Sequence, residues 1–164
     1  KHNIVIVHAI NIGKNLSWKL ADVMADLAKQ LSAKEIISLE GVGSPNAQGG
    51  RIFYYSQDGK ATENKLKNIA FPLMEGIIVG VTGALLAKDV STPVVALFAE
   101  AKSNLPDSKA AANIITALDA YVGMKVDPTP LLAQAKEFEQ KLKGIIKKTQ
   151  KAEEIQEDKL SYVG

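Results

Sequence analysis

The side chains able to do acid–base or metal chemistry are few and scattered in this sequence. His2 and His8 lie on one apolar, β-branched run, which is an unusual setting for a proton-transfer pair. No further ligand stands at a spacing that a histidine metal site uses, and the absence of cysteine excludes thiolate ligands, disulfides and a cysteine nucleophile. Glu100 follows a strongly apolar run, where α/β sites form, but Asp107 nearby is explained as a helix cap. We therefore expect no catalytic residue, no metal site and no cofactor.

Two glycine-containing segments are candidates for anion binding. Gly41-Val-Gly43 and Gly80-Val-Thr-Gly83 each follow a predicted strand, and backbone N–H groups at such turns can hold a phosphate. Neither segment matches the dinucleotide-binding fingerprint or the P-loop. Tight strand-to-helix turns also use glycine for backbone reasons alone. We favour that interpretation, and a small ligand at these turns stays open as the alternative.

The elements that must position these residues alternate between apolar strands and amphipathic helices. The predicted strands are Asn3–Ala9, Lys34–Glu40, Arg51–Ser56 and Pro93–Ala99. The predicted helices are Asn15–Leu31, Thr62–Ile69, the later part of Gly76–Lys88, which begins as a short apolar strand or turn, and Ser108–Tyr121. The first of these helices has its apolar positions at Leu16, Leu20, Val23, Leu27 and Leu31. This alternation predicts an α/β body over residues 1–128, with a mostly parallel sheet and helices on both faces. Because a strand begins almost at residue 1, we expect the body to lack its N-terminal elements.

Residues 129–164 form a second unit, a long C-terminal helix and its tail. An apolar seam recurs at steps of four and three residues, through Leu131, Ala135, Phe138, Leu142 and Ile145. Extended to residue 158, this helix would measure roughly 45 Å, longer than a small domain is wide, so we expect its end to project. We expect Phe138, Leu142 and Ile145 to form an oligomer interface. Pairs with four-residue spacing on the same helix, Glu137 with Lys141 and Glu139 with Lys143, are in the favourable order.

Charge and hydropathy exclude several classes of partner. Twenty basic residues stand against 18 acidic ones, a net charge of +2, which is not the signature of nucleic-acid or anionic-membrane binding. The longest apolar run, Gly76–Ala87, is shorter than the roughly 20 residues that span a bilayer. Without cysteine and without a signal-like start, the sequence favours a cytoplasmic location.

Several short motifs occur in a fixed order along the chain. They are SWKLADVM (17–24), AKEIISLEG (33–41), EGIIVGVTGALL (75–86), ALFAE (96–100) with LPD (105–107), and VD (126–127) before PLL (130–132). Together they resemble the archaeal branch of the proteasome assembly chaperone family, the homologues of the second eukaryotic chaperone. The resemblance covers most of residues 3–146, and the long C-terminal helix looks like that of the B-type archaeal homologue.

The resemblance implies a fold similar to purine nucleoside phosphorylases and a homo-oligomer that uses no ATP. It also implies binding to α subunits of the proteasome core particle, whose pockets accept C-terminal tails of the form hydrophobic, tyrosine, any residue. The corresponding tail here would be Leu160, Ser161, Tyr162, Val163 and Gly164. Tyr162 stands third from the end, whereas the family motif places tyrosine second from the end.

The fold analogy supplies a second hypothesis. A sheet like that of a nucleoside phosphorylase could carry a phosphorylase, hydrolase or small-ligand site, with the two glycine segments as anion loops. Fold does not imply function, and the sequence lacks a recognisable set of base, nucleophile and metal ligands. We therefore favour an assembly or activating factor for the proteasome over an enzyme.

Overall fold

The structure is a computed structural model that describes residues 3–10, 13–43, 50–101, 107–130, 132–133, 135–138 and 140–145. Its helices are α1 (Ser17–Gln30), α2 (Gly59–Leu66), α3 (Gly80–Ala87) and α4 (Ser108–Val122). Its strands are β1 (Ile36–Gly43), β2 (Ile52–Ser56), β3 (Phe71–Pro72) and β4 (Val94–Ala101). A single 3-10 turn, Lys14–Leu16, precedes α1, and every described residue between 129 and 145 is helical.

The four strands form one sheet in the order β1-β4-β2-β3. β1 pairs with β4 and β2 with β3 in parallel, whereas β2 runs antiparallel to β4. The predicted α/β fold is therefore confirmed, and the sheet is mixed because β2 enters it in the opposite direction.

Helices cover both faces of the sheet, as predicted. β4 lies in the middle of the described sheet, and six of its residues from Val94 to Ala99 are at most 3% exposed. Since successive side chains of a strand point to opposite faces, Val95, Leu97 and Ala99 join the core formed with α2 and α4. Val94 joins the second core, which α1 and α3 form on the other face. This continuous apolar strand is the type expected at the centre of a sheet covered on both sides.

The ends of α4 follow the predicted capping pattern. The side chain of Asp107 accepts hydrogen bonds from the backbone N–H groups of Lys109 and Ala110, each at 3.0 Å. Gly123 ends the helix in the left-handed region at φ 74°, a conformation that glycine adopts without a Cβ penalty. Both caps were expected from the sequence, and together they define the two ends of α4.

The prediction of a strand over Asn3–Ala9 is wrong for this structure. Residues 3–10 carry no strand assignment, and their side chains are exposed. A β-branched run has the propensity for a strand, but a strand forms only when a neighbour pairs with its backbone. No described strand pairs with residues 3–10.

Candidate functional site

An ion pair stands at the carboxyl end of β4, where Glu100 was singled out from the sequence. The Glu100 side chain is fully buried, and its two carboxylate oxygens accept from Arg51 Nη2 at 2.5 Å and Arg51 Nε at 3.2 Å. The guanidinium is half exposed and lies over the Phe53 ring, 5.4 Å from its centroid. Hydrogen bonding to Glu100, and then its negative charge, raises the pKa of Arg51 above its usual value. A two-point contact of this kind holds the carboxylate and the guanidinium in a fixed relative orientation.

A second polar group joins β1 to the first turn of α3. Thr82 is 2% exposed, and its hydroxyl donates to Glu40 Oε1. Since a hydroxyl has one proton, Ser38 Oγ must be the donor in its 2.5 Å contact with Thr82 Oγ1. The three side chains therefore form one chain of hydrogen bonds, from Ser38 through Thr82 to Glu40.

Both polar groups face the α1/α3 side of the sheet. Glu40 lies opposite Phe98, and Glu100 is two residues further along β4, so the two carboxylates share a face on neighbouring strands. Glu100 is held by a guanidinium and Glu40 by a hydroxyl, and these contacts join strands and helix to one another. The arrangement can orient elements of the fold, and neither carboxylate is placed as an unengaged base. In the ranges that the structure covers, no three His, Asp or Glu side chains are grouped to hold a metal ion.

The two glycine segments differ from each other. Gly41 and Gly43 lie inside β1, paired with Ala99 and Ala101, so the prediction of a turn there is wrong. The strand continues past its predicted end at Glu40 because β4 offers ladder partners as far as Gly43. Gly80 does open α3, as predicted, at φ 74°.

Gly83 has a packing reason to be glycine. A Cβ at this position would collide with the backbone oxygen of Ile78, much closer than real Cβ contacts come. The first turn of α3 therefore requires glycine for close backbone approach. This accounts for the glycine without a ligand.

The predicted oligomer-interface residues lie on one face of the helical stretch at 129–145. Phe138 and Ile145 are 63% and 61% exposed, and Leu142 is half-buried. The predicted pair of Lys141 and Glu137 forms, with 2.7 Å between Nζ and Oε1. Glu139 lies outside the described residues.

The opposite face of that stretch borders a groove of about 520 Å³ against the start of α4. The groove is lined by Asp107, Ser108, Lys109, Ala112, Leu132, Lys136, Gln140 and Lys143. At about 100° per residue, Phe138, Leu142 and Ile145 lie roughly 150° around the helix from the four groove-lining residues of the same stretch. The apolar seam therefore points away from α4, while a mostly polar face turns towards it.

Other residues considered from the sequence are placed as follows. His8 is exposed, in residues 3–10, which carry no strand assignment. His2 and the predicted tail, Leu160 to Gly164, lie outside the described residues. Within the part of the chain that the structure describes, no helix is long and apolar enough to cross a membrane.

Sequence reasoning missed the partners of Glu100 and the whole Ser38–Thr82–Glu40 chain. The sequence did contain a pattern that could have identified Glu40 as facing a neighbouring element, because this charged residue alternates with apolar residues on a half-buried strand. Arg51 could not be paired with Glu100 from the sequence, because the pairing depends on β2 lying antiparallel beside β4.

The sequence profile of the PAC2 family matches residues 1–146. The comparison with curated protein sequences returned no significant match. Among solved structures, the chain is similar to PbaA of Pyrococcus furiosus, described as an archaeal homolog of proteasome-assembly chaperone, with a TM-score of 0.71 and 24% identity over 92% of this chain and 65% of PbaA.

Two further solved structures share the fold. PbaB of Pyrococcus furiosus, described as an archaeal proteasome activator, has a TM-score of 0.66 and 24% identity over 85% of this chain and 62% of its own. A Thermoplasma acidophilum protein of unknown function has a TM-score of 0.63 and 20% identity over 88% of this chain and 60% of its own. The chain thus spans less than two thirds of the length of these structures.

Proposed function

The chain belongs to the PAC2 family, and from this premise we propose that it is a proteasome assembly chaperone or activator rather than an enzyme. The observation that carries the proposal is the family match over residues 1–146. The likeness to PbaA and PbaB supports it, since those proteins are described as a homolog of a proteasome-assembly chaperone and as a proteasome activator. The engaged state of Glu40 and Glu100 is consistent with a protein whose polar groups serve the fold.

In this proposal the protein forms a homo-oligomer, in which residues 1–128 of each copy form the body and residues 129–164 form an arm. The seam of Phe138, Leu142 and Ile145 forms the contact between copies. Two observations support this role for the seam: it carries large apolar side chains that are mostly exposed, and it points away from α4. A polar face towards the body and an apolar face towards solvent is the reverse of what a monomeric helix needs.

The arm brings the tail to the α subunits of the proteasome core particle, in the cytoplasm and without ATP. In this proposal Tyr162 enters a pocket between subunits, and Leu160 and Val163 add apolar contacts. A short tail of this kind binds weakly alone, and several tails displayed by one oligomer bind together with higher avidity. Oligomer formation and tail binding are therefore parts of one mechanism.

Native mass spectrometry with a purified archaeal proteasome core particle tests the tail. Tyr162→Ala should weaken core-particle binding, whereas Lys159→Ala, immediately before the tail, should leave binding unchanged. A chain cut after Asp158 should bind no better than Tyr162→Ala, with the oligomer intact in every case. Full binding by the cut chain would move the interface onto the α/β body.

A further inference from the structure

The helical stretch 129–145 doubles back along α4. A link of residues 123–128 separates the two helices, and a connection of this length is common between helices that pack side by side. Lys143 of the stretch lines the same groove as Ser108, the first residue of α4. The path from Thr129 to Lys143 along the helix is about 21 Å, which is also the length of α4. The two helices are therefore antiparallel and form a helical hairpin.

The end of α4 holds the backbone of the link at two points. The backbone oxygen of Asp119 accepts from the N–H of Gly123 at 2.7 Å, and its side-chain Oδ1 accepts from the N–H of Val126 at 3.2 Å. Gly123 and Lys125 lie in the left-handed region, at φ 74° and 58°. That region is uncommon for a residue with a side chain, such as Lys125. The hydrogen bonds to Asp119 therefore help to hold a reversal that the backbone alone disfavours.

The first turn of the arm is fixed by its own residues. Asp127 Oδ1 accepts from the backbone N–H of Thr129 at 3.0 Å, which is the contact of a helix N-cap. Hydrogen bonding from Thr129 also lowers the pKa of Asp127. Pro128 suits the first position of a helix and disfavours helical backbone at the residue before it. α4 and the arm are therefore kept from joining into one straight helix.

Beyond its first turn, the helical stretch has an open groove on the side of α4. Lys136, Gln140 and Lys143 border this groove, and all three residues are exposed. The groove has a volume of about 520 Å³. Residue 145 lies about 24 Å from Thr129 along the helix, so a swing of about 20° at the first turn would move it by about 8 Å. The contacts at the start of the arm therefore have a large effect on where its far end lies.

We propose that Asp119 and Asp127 are positioning residues, which hold the arm antiparallel to α4 and so fix the direction in which each copy presents its seam and its tail. The hydrogen bonds of the two carboxylates support the hairpin itself, whereas the role of the tail rests on the proposed function. Several tails on one oligomer bind together only when their geometry allows simultaneous contact. A fixed arm also loses less conformational freedom on binding than a swinging arm does.

Spin-label distances test the hairpin without the proteasome. The chain has no native cysteine, so Lys65→Cys on α2 and Gly144→Cys on the arm provide one labelled pair. Lys65 is exposed, and a Cβ added at Gly144 meets nothing within 4 Å. Mixing the labelled chain with an excess of unlabelled chain restricts the measured distance to one copy.

The parent chain should give one narrow distance distribution by double electron–electron resonance. Asp119→Ala combined with Asp127→Ala should broaden that distribution by about 8 Å, the displacement that a swing of about 20° produces. Asp119→Asn combined with Asp127→Asn keeps an accepting oxygen at both positions and should keep the distribution narrow. Asp26→Ala, at an exposed residue of α1, is the control and should change nothing. A broad distribution in the parent chain, or a narrow one in the double alanine variant, would overturn the proposal.

Core-particle binding tests the consequence for the tail. In native mass spectrometry, the double alanine variant should bind the core particle at least about tenfold more weakly than the parent chain, because its tails no longer act together. The double asparagine variant should bind as the parent chain does. Equal binding by the double alanine variant and the parent chain would refute the positioning role. Absence of binding by the parent chain would instead contradict the proposed function, and the spin-label distances would still decide the hairpin.

Discussion

Truncating Phe138 is the sharpest perturbation of the proposed self-association. Complete burial of a phenylalanine contributes about 1.5–3 kcal/mol, and 63% of Phe138 remains exposed in the single chain. Burying that remainder contributes roughly 1–2 kcal/mol per copy. A two-fold contact contains the residue twice, so Phe138→Ala should cost roughly 2–4 kcal/mol of association free energy, which is about a 30- to 1,000-fold rise in dissociation constant.

A dilution series in the analytical ultracentrifuge measures this constant directly. Lys136→Ala is the matched control, because Lys136 lies on the groove-lining face of the same helical stretch. Circular dichroism should show equal helix content in both variants. If the oligomers of Phe138→Ala, Lys136→Ala and the parent chain all dissociate at the same concentration, the seam is not the contact between copies. The assignment of the seam from its exposed side chains and from its orientation away from α4 is then refuted.

Three further predictions concern the fold that carries the arm. Asp107→Ala should lower the free energy of unfolding by about 1 kcal/mol and Tm by roughly 3 °C in thermal melts, because two N–H groups of α4 lose their cap; no change would contradict the cap's role. Gly83→Ala should cost at least about 2 kcal/mol in urea unfolding, because its Cβ would meet the Ile78 carbonyl; near-neutral behaviour would contradict the close approach. Burial, and then hydrogen bonding to Glu35, raises the pKa of Tyr121. The protonated side chain of Tyr121 therefore contributes its full stabilisation below the ordinary tyrosine pKa of about 10, and this stabilisation is lost as the pH rises towards the pKa of the folded state. Tyr121→Phe should therefore lose stability less steeply above that pH, and an unchanged alkaline Tm profile would contradict this linkage.

Local signals in the sequence predicted the elements whose partners are nearby or whose pattern is strong. β4 was evident from its unbroken apolar run, and α4 from Asp107 and Gly123 at its ends. β3, with two residues, is too short to leave a periodic signal. The α1 stripe was recognised, but its packing was not, because alanines make the close contact with α3 while Leu16, Val23 and Leu31 stay exposed.

Features that depend on the pairing of strands across the sheet could not be predicted from the sequence. The antiparallel entry of β2 brings Arg51 to Glu100, residues separated by 49 positions. The Ser38–Thr82–Glu40 chain likewise requires α3 to lie over β1. Residues 3–10 show the converse case, because their strand propensity was clear and yet none of the described strands pairs with them. Propensity is local, and pairing is decided by tertiary contacts.

Reconstitution of core-particle assembly tests the central claim most directly. Proteasome α and β subunits would be mixed with and without this protein, in the absence of ATP, and core particles would be quantified by native gel and peptidase activity. The account predicts faster or more complete core-particle formation, or higher peptidase activity of the finished particle, and loss of that effect when the chain is cut after Asp158. Identical assembly and activity with and without the protein would contradict it.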